Sequence, residues 1–521
     1  MEYNHVSEIV KDINFGDEAR NKVMVGIDKL TNAVKSTLGA SGKCVIYEDA
    51  SGKPVVTKDG VTVANSVVLF DPVENIGATL IKQAAQKTVK EAGDGTTTST
   101  VLAHAIINTF KDADLGVTVR QIKDGIDSGV AKVLDYLDKT AVEVKDDMLD
   151  AVASISANND KALGGIIAEA YKKVGRDGVV LMEESESEQT YVEIVDGVQF
   201  DSGLKSPHLI TDSDTGKAVL DNPYVLIVAS PIPNIRKIQN VLEHVIKEKG
   251  SLLIVATVEQ QPMAALLTNK VKGNLKVNIV DVPGFGATKR DTIEDIAAIT
   301  GATVMNEELG DDLDMIQPDI LGRALKAVTD NNTTIITIDE MPEAASERVE
   351  SVQNKISSEQ NPFIKKKLEQ RLAMLAGAVG IIKVGGNSPV ELKEKKDRVE
   401  DAIYAVKAAL KEGIVSGGGV ALLDASNKIN AKGDVENTFM KAITAPYYTI
   451  LENAGLPQTN VEAKGRGIDV ISGKEVNMIR AGVIDPVLVT KTALINASSV
   501  AATIMSTDCV ISNVRINESS K

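Results

Sequence analysis

The sequence contains no Trp, and aromatic residues of all kinds make up only 3% of it. Its cores must therefore be aliphatic, and recognition by stacking bases on exposed rings is disfavoured. Cysteine is almost as scarce. Cys44 and Cys509 lie far apart and outside any CxxC pattern, which argues against a disulfide framework or a structural zinc site and fits a reducing compartment. The four histidines, His5, His104, His208 and His244, show no metal-ligand spacing and read as surface or packing residues. No apolar run approaches the ~18 residues of a membrane span, and the acidic N-terminal stretch lacks a signal-peptide core, so a cytoplasmic location is expected. A basic balance is missing too. The net charge is −16, and such a surface repels nucleic acid and anionic membranes, so neither is expected as a partner. The charge serves solubility, or it lines a cavity that must not stick to its contents.

What is present is a chain of 521 residues, 43% hydrophobic and 25% charged, a globular composition long enough for about three or four domains at ~150 residues each. From Phe15 to about Leu137 apolar residues recur three and four apart, as in GIDKLTNAVKSTL and TLIKQAAQKTVKEA, which predicts helices. A strand pair, KCVIYED and KPVVTKDG, interrupts them. Between about Gly178 and Gly386 short β-branched runs appear (VVLMEE, YVEIV, YVLIVA, SLLIVA, LKVNIVDV, TTIITI, GIIKVGG) with helical stretches between several of them. That alternation predicts a sheet covered by helices. Near its end ASERVESVQNKISSEQ and PFIKKKLEQRLAMLAG read as two antiparallel helices, with Pro362 where a helix start tolerates it. From Pro389 the chain is helical again. Helical, then α/β, then helical is economically explained by an α/β domain inserted into a helical one.

The strongest chemical signal is Gly93-Asp94-Gly95-Thr96-Thr97-Thr98, between two helical stretches. Glycines let backbone approach phosphate oxygens, a following helix offers free N–H groups, the hydroxyls add hydrogen bonds, and Asp94 could hold Mg²⁺. The same residues also suit an ordinary helix cap. Thr37-Leu38-Gly39-Ala40-Ser41-Gly42 ends a helix, where glycine is a common C-cap. It is not a Walker A loop, because Thr37 stands at the earlier glycine and Cys44 replaces Ser/Thr. Thr57-Lys58-Asp59-Gly60 reads as a tight turn after a strand. Gly417-Gly418-Gly419 allows close approach of a nucleobase or of another helix. Arg398-Val399-Glu400-Asp401 lies within a helix, where an acidic residue normally faces solvent. A soluble kinase or phosphatase built on Asp94-Gly95-Thr96 finds no kinase signature set in support.

Together, Thr37-Leu38-Gly39, Thr57-Lys58-Asp59-Gly60-Val61, Ala92-Gly93-Asp94-Gly95-Thr96-Thr97-Thr98, Val399-Glu400-Asp401-Ala402, Gly417-Gly418-Gly419-Val420-Ala421 and Ile484-Asp485-Pro486 resemble the motifs of group I chaperonins of the GroEL type, in the family's order and at nearly its spacing. Ile155-Ser156-Ala157-Asn158, Pro283-Gly284-Phe285-Gly286 and Glu394-Lys395-Lys396 add to the match. The resemblance runs from about Phe15 to Cys509. It implies a multi-domain α plus α/β fold: a helical equatorial ATPase domain (1–138 and 412–521), a small intermediate domain (139–195 and 380–411) and an inserted α/β apical domain (196–379). It also implies an ATP hydrolase that captures unfolded polypeptides in a ring chamber and promotes their folding, a chaperone function allied to isomerases. The expected assembly is a homo-oligomer of seven-membered rings, two of them stacked, or a single ring. The alternative is a passive holdase or scaffold.

The resemblance further implies ATP, Mg²⁺ and K⁺ as cofactors. By position, Thr37, Leu38, Gly39, Ala40 and Gly95, Thr96, Thr97, Thr98 would cradle phosphate, and Asp94 would ligate Mg²⁺. Backbone oxygens near Thr37 and Lys58, with the Thr97 hydroxyl, would hold K⁺. Gly418 and Asp485 would hold adenosine, Asp469-Val470-Ile471 would lie beside the adenine, and Ser156 would also touch nucleotide. Asp401 would orient the attacking water, with Asp59 assisting. Unfolded clients would meet an apolar apical groove of Leu204, His208, Leu209, Ile235, Ile238, Gln239, Leu242, Met263, Leu267 and Thr268.

Several positions depart from the family pattern. Leu204, His208 and Leu209 replace aromatics, and Gln239 and Thr268 dilute the groove. That surface would also dock a co-chaperonin lid, so the chain is expected to use a particular lid or none. Ala40-Ser41 and Asp469-Val470-Ile471 differ from the usual residues around the nucleotide. Val142 and Ala378 stand at hinge positions. Tyr448 and Leu456-Pro457 stand where charged contacts between rings are usual.

Overall fold

The computed structural model describes residues 11–49, 51–113, 115–157, 159–176, 178–185, 187–213, 215–282, 287–313, 316–359, 361–375 and 378–513. His5, Asn158 and the Pro283-Gly284-Phe285-Gly286 motif lie outside them. The chain divides into two compact units: Met1–Ala168 with Ser185–Thr190 and Val384–Lys521, and Glu169–Glu184 with Tyr191–Lys383.

The first unit is helical. Helices Gly16–Lys35, Pro72–Ala92, Thr96–Ala113, Val119–Thr140 and Val487–Met505 surround one aliphatic core. The spacing that predicts the first of them also buries it: Val23, Ile27, Leu30 and Val34 fall on one stripe, at most 5% exposed. Where Gly16–Lys35 crosses Pro72–Ala92, glycines set the distance. A Cβ on Gly26 would stand 1.8 Å from the Glu74 carbonyl oxygen, and one on Gly77 2.3 Å from that of Val23. The Val487–Met505 helix is long and apolar enough to cross a membrane by length and composition, which the sequence reading did not anticipate. It is mostly buried among the other helices of this unit, and Lys491 near its start ion-pairs with Asp138 at 2.8 Å and Glu412 at 3.0 Å.

Two-stranded ribbons decorate this unit. Lys11–Phe15 pairs antiparallel with Cys509–Asn513, and Val45–Glu48 with Pro54–Thr57. Two more, Ile414–Ser416 with Ile484–Pro486 and Arg466–Asp469 with Lys474–Asn477, flank the site described below. Val142 is bridged to Ile414 by backbone hydrogen bonds of 2.8 and 2.9 Å. Tyr448 and Leu456 pack against a small cluster around Tyr447 and Leu451.

The second unit holds two sheets. In one, Val304–Met305, Tyr224–Val228, Ser251–Val255 and Lys276–Val280 run parallel, with Gly322–Arg323 added antiparallel to Tyr224–Val228. Every residue of Tyr224–Val228 and Ser251–Val255 is buried, as befits parallel strands covered on both faces. Alternation then assigns the faces. Val225, Ile227, Leu253 and Val255 pack with Ile293 and Ile296 of the helix Ala287–Thr300, while Leu226, Val228, Leu252 and Ile254 pack with Val241, Val245 and Leu266. The other sheet runs Val179–Glu184, Ala378–Val384, Tyr191–Phe200, Thr334–Ile338, Lys326–Thr329, Ala218–Asp221. Ala378 pairs with Asp196 at the start of its strand.

Helices Glu343–Ser358 and Pro362–Leu375 lie against each other, and a charge cluster ties them to Ala287–Thr300. Asp295, only 4% exposed, accepts from Arg371 Nε and Nη2 and from Arg348 Nε, all at 2.7 Å. Burial alone would lower the Arg371 pKa, but the Asp295 and Asp291 carboxylates raise it.

Candidate functional site

In the first unit, loops from distant parts of the chain enclose a cavity of about 340 Å³. The first wall is the turn after helix Gly16–Lys35. Asn453 Nδ2 donates to the carbonyls of Lys35 (2.8 Å) and Leu38 (2.9 Å), so this helix end is held in place. Thr37, Leu38, Gly39 and Ala40 all line the cavity. The second wall is the end of the Pro54–Thr57 strand. Asp59 caps the short helix Gly60–Ser66, accepting from Val61 N at 3.0 Å and Thr62 N at 2.7 Å. Capping engages both oxygens of this carboxylate and fixes its place, and Asp59 and Lys58 both line the cavity.

The third wall is the Gly93–Thr98 turn. Gly93 ends helix Pro72–Ala92 at φ +77°, and a Cβ there would stand 2.3 Å from Tyr404 Cβ. Only glycine satisfies both demands. Asp94 accepts from the Gly95 N–H. Thr96, Thr97 and Thr98 open the next helix toward the cavity, and the Thr97 and Thr37 hydroxyl oxygens stand 3.5 Å apart. The fourth wall comes from the two ribbons. Pairing of Val415 with Asp485 brings Asp485 beside Gly418 and Gly419, whose N–H groups hydrogen-bond to it. Asp469 spends its carboxylate on its own turn, accepting from Ile471 N at 3.1 Å and from the Ser472 hydroxyl at 2.5 Å. That leaves Val470 and Ile471 to offer an apolar surface, Ile471 at 74% exposure.

The last wall is the helix Pro389–Glu412, which Ser388 caps by accepting from Glu391 N at 3.2 Å. Glu394, Asp397, Arg398 and Asp401 line the cavity, spaced three and four apart on one face, while Val399 and Ala402 are fully buried. Ser156, at the end of the helix Asp146–Ser156, completes the enclosure. All of the nucleotide-binding and catalytic positions expected from the sequence therefore line one cavity. Sequence reasoning missed Asp397, Asn159 and Tyr447 on its wall. The spacing of charged residues ahead of Asp401 was the available signal for Asp397.

The electrostatics are lopsided. Among the described residues, the wall carries seven carboxylates (Asp59, Asp94, Glu394, Asp397, Asp401, Asp469, Asp485) against Lys58 and Arg398. Burial pushes the Asp94 carboxyl up, the Gly95 N–H opposes this, and the Asp59 charge adds to the rise. Asp401 is pushed well above the usual carboxylate range by burial and then by Asp94, Asp59, Glu400 and Asp397. Asp397 rises to about 6 through burial and Asp59. Asp485 also rises to about 6 through burial and Asp94, against the Gly419 and Gly418 N–H groups. Carboxylates this close disfavour one another's ionisation, and a bound cation relieves the conflict. No group of three or more His, Cys, Asp or Glu residues among those described could hold a metal ion unaided. The donors fit a hard cation that shares its shell with a ligand's oxygens and water.

In the second unit, Leu204, Ile235, Leu242, Met263 and Leu267 are half-buried around the Leu226–Ile254 core, and His208, Gln239 and Thr268 are exposed. Leu209 and Ile238, expected in an exposed groove, are 0% exposed and belong to the core. Each sits at a short 3-10 turn, Pro207–Leu209 and Ile235–Ile238, whose tight winding turns one side chain inward. Val271, 71% exposed at the end of the helix Gln260–Val271, was not anticipated.

Residues 30–515 match the model of the TCP-1/cpn60 chaperonin family. Two crystal structures of the chaperonin gp146 from the bacteriophage EL 2 (Pseudomonas aeruginosa), in presence of ATP-BeFx, are similar to this chain over 96% of its length and 99% of theirs, at 22% identity. The TM-scores are 0.72 for crystal form II and 0.65 for form I. At that identity the likeness speaks to the fold.

Proposed function

The chain belongs to the TCP-1/cpn60 chaperonin family, and from that premise we propose that it is an ATP-hydrolysing chaperonin which captures unfolded polypeptides in a ring chamber and promotes their folding. The observation that carries the reading is the convergence on one cavity of the phosphate, adenosine and acid positions that the resemblance implies. Gly39, Ala40 and Thr96–Thr98 supply backbone N–H groups, with the Thr97 and Thr98 hydroxyls, to phosphate oxygens, while Thr37, Leu38 and Gly95, whose N–H groups donate to Val34 O, Lys35 O and Asp94, shape the same cradle. Gly418, Asp485 and the Asp469–Ile471 turn receive the adenosine end, and Ser156 closes the mouth. Asp94 is the carboxylate for Mg²⁺, and the Thr37 and Lys58 backbones with the Thr97 hydroxyl suit K⁺. Bound there, the cations would neutralise phosphate charge. Asp401 accepts a hydrogen bond from the attacking water and orients it, with Asp59 beside it. A base carried on an element that moves links turnover to domain motion.

The three-domain division, equatorial, intermediate and apical, belongs to this reading, with the Pro389–Glu412 helix in the intermediate part. So does assembly into seven-membered rings, stacked in pairs or single. Each terminal or hairpin ribbon has an open edge and exposed apolar residues: Ile13 51%, Phe15 65% and Ile511 59% on one, Ile46 69% and Val56 52% on the other. Edges of this kind call for a partner strand or cover, and a further copy of the chain provides both. Clients would bind the half-buried apolar side chains around Leu242 and Met263, because unfolded chains expose apolar surface too. A lid is optional in this reading.

Phosphate release and nucleotide binding test it together. Asp401→Ala should keep ATP affinity within about threefold and slow hydrolysis by about 100-fold or more. Equal loss of binding and turnover would refute the role given to Asp401.

A further inference from the structure

The cavity poses a charge problem that the roles above leave open. Its wall is strongly acidic, yet a polyanionic triphosphate is to bind there. Lys58 offers one basic side chain. The other among the described residues is Arg398, which stands three residues before Asp401 on the same face of the Pro389–Glu412 helix and lines the same cavity. Its Nη2 donates to the Glu394 carboxylate one turn back. That pair is open to water, with 28% of the Arg398 side chain and 48% of Glu394 exposed. An exposed pair four apart on a helix favours the closed arrangement by only about a factor of two. A guanidinium fork matches a phosphate group in two parallel hydrogen bonds, a stronger arrangement than the one it would leave.

We propose that Arg398 is the phosphate sensor of this cavity, its guanidinium exchanging the Glu394 carboxylate for the terminal phosphate of bound ATP. Glu394 is the resting perch, holding the arginine while the cavity is empty. No covalent bond is made or broken in the exchange. Only ATP carries this third, γ-phosphate, so the residue distinguishes ATP from ADP, and loss of that phosphate returns the guanidinium to Glu394. The proposal rests on the reading of the cavity as a nucleotide site.

Calorimetric titration of the full chain with a non-hydrolysable ATP analogue and with ADP, both with Mg²⁺, tests it. Arg398→Ala should weaken the analogue by about 10- to 100-fold and ADP by less than about threefold. Arg398→Lys should restore part of the loss, keeping the charge without the fork. Glu394→Gln, which removes the competing carboxylate, should tighten the analogue by about twofold. Equal effects of Arg398→Ala on the analogue and ADP, or weaker analogue binding in Glu394→Gln, overturn the proposal while leaving the nucleotide site standing. Failure of the unaltered protein to bind either nucleotide removes the premise as well.

Discussion

Asp397 stands one helical turn ahead of Asp401, and its carboxyl titrates at about 6 against an ordinary 3.8. Between those values the native protein keeps a proton that the unfolded chain has lost. Stability therefore falls as pH rises from about 4 to 6, and the penalty is complete above 6. Asp397→Asn removes it. The variant should be more stable than the parent at pH 7.5 by roughly 1–2 kcal/mol, a figure discounted for the carboxyl's partial exposure. The gain should shrink as pH is lowered through 6. Thermal denaturation of the nucleotide-free protein across that range checks this, and an unchanged or lower midpoint at pH 7.5 contradicts it. The residue was only partly legible in the sequence. Asp59, Asp94 and Asp401 sit in recognisable motifs, but Asp397 belongs to none and acquires its role from the way its helix faces the cavity. Leu209 and Ile238 show the converse. The resemblance places each in a groove, while an isolated Leu or Ile reads as core, and the structure buries both at a short 3-10 turn.

At the scale of elements, periodicity carried the long helices and the β-branched runs, because a buried face imposes a repeat that many residues share. It could not carry Ile414–Ser416 or Ile484–Pro486, which are too short for a repeat and are defined by their pairing with each other. Yet that pairing sets Asp485 against Gly418 and Gly419, so part of the site hung on elements the sequence did not announce. The crossing of Gly16–Lys35 with Pro72–Ala92 is a second such case. Helix propensity alone predicts that Gly77→Ala stabilises by about 1 kcal/mol. The 2.3 Å approach to the Val23 carbonyl oxygen predicts the opposite sign, a loss of about 1–3 kcal/mol from overpacking. Urea denaturation decides, and a more stable alanine variant would contradict the close backbone crossing.

Taken whole, the molecule combines a helical unit that holds the acidic cavity with an α/β unit that presents half-buried apolar side chains. The order of helical, α/β and helical stretches was readable because composition changes at the joins. The ribbon between the two ends of the chain was not, since nothing local in Lys11–Phe15 points to Cys509–Asn513. That ribbon and the Val45–Thr57 hairpin leave apolar residues in water, a cost that the proposed assembly would remove. The account thus joins two claims, that copies of this chain form rings and that the rings hydrolyse ATP. Fractionating the full chain by size and assaying each fraction for phosphate release with Mg²⁺, K⁺ and ATP tests both at once. The account predicts hydrolysis in the fractions of ring size, abolished when Mg²⁺ is chelated. Ring-sized material that releases no phosphate, or a protein that elutes only as monomer, would contradict it.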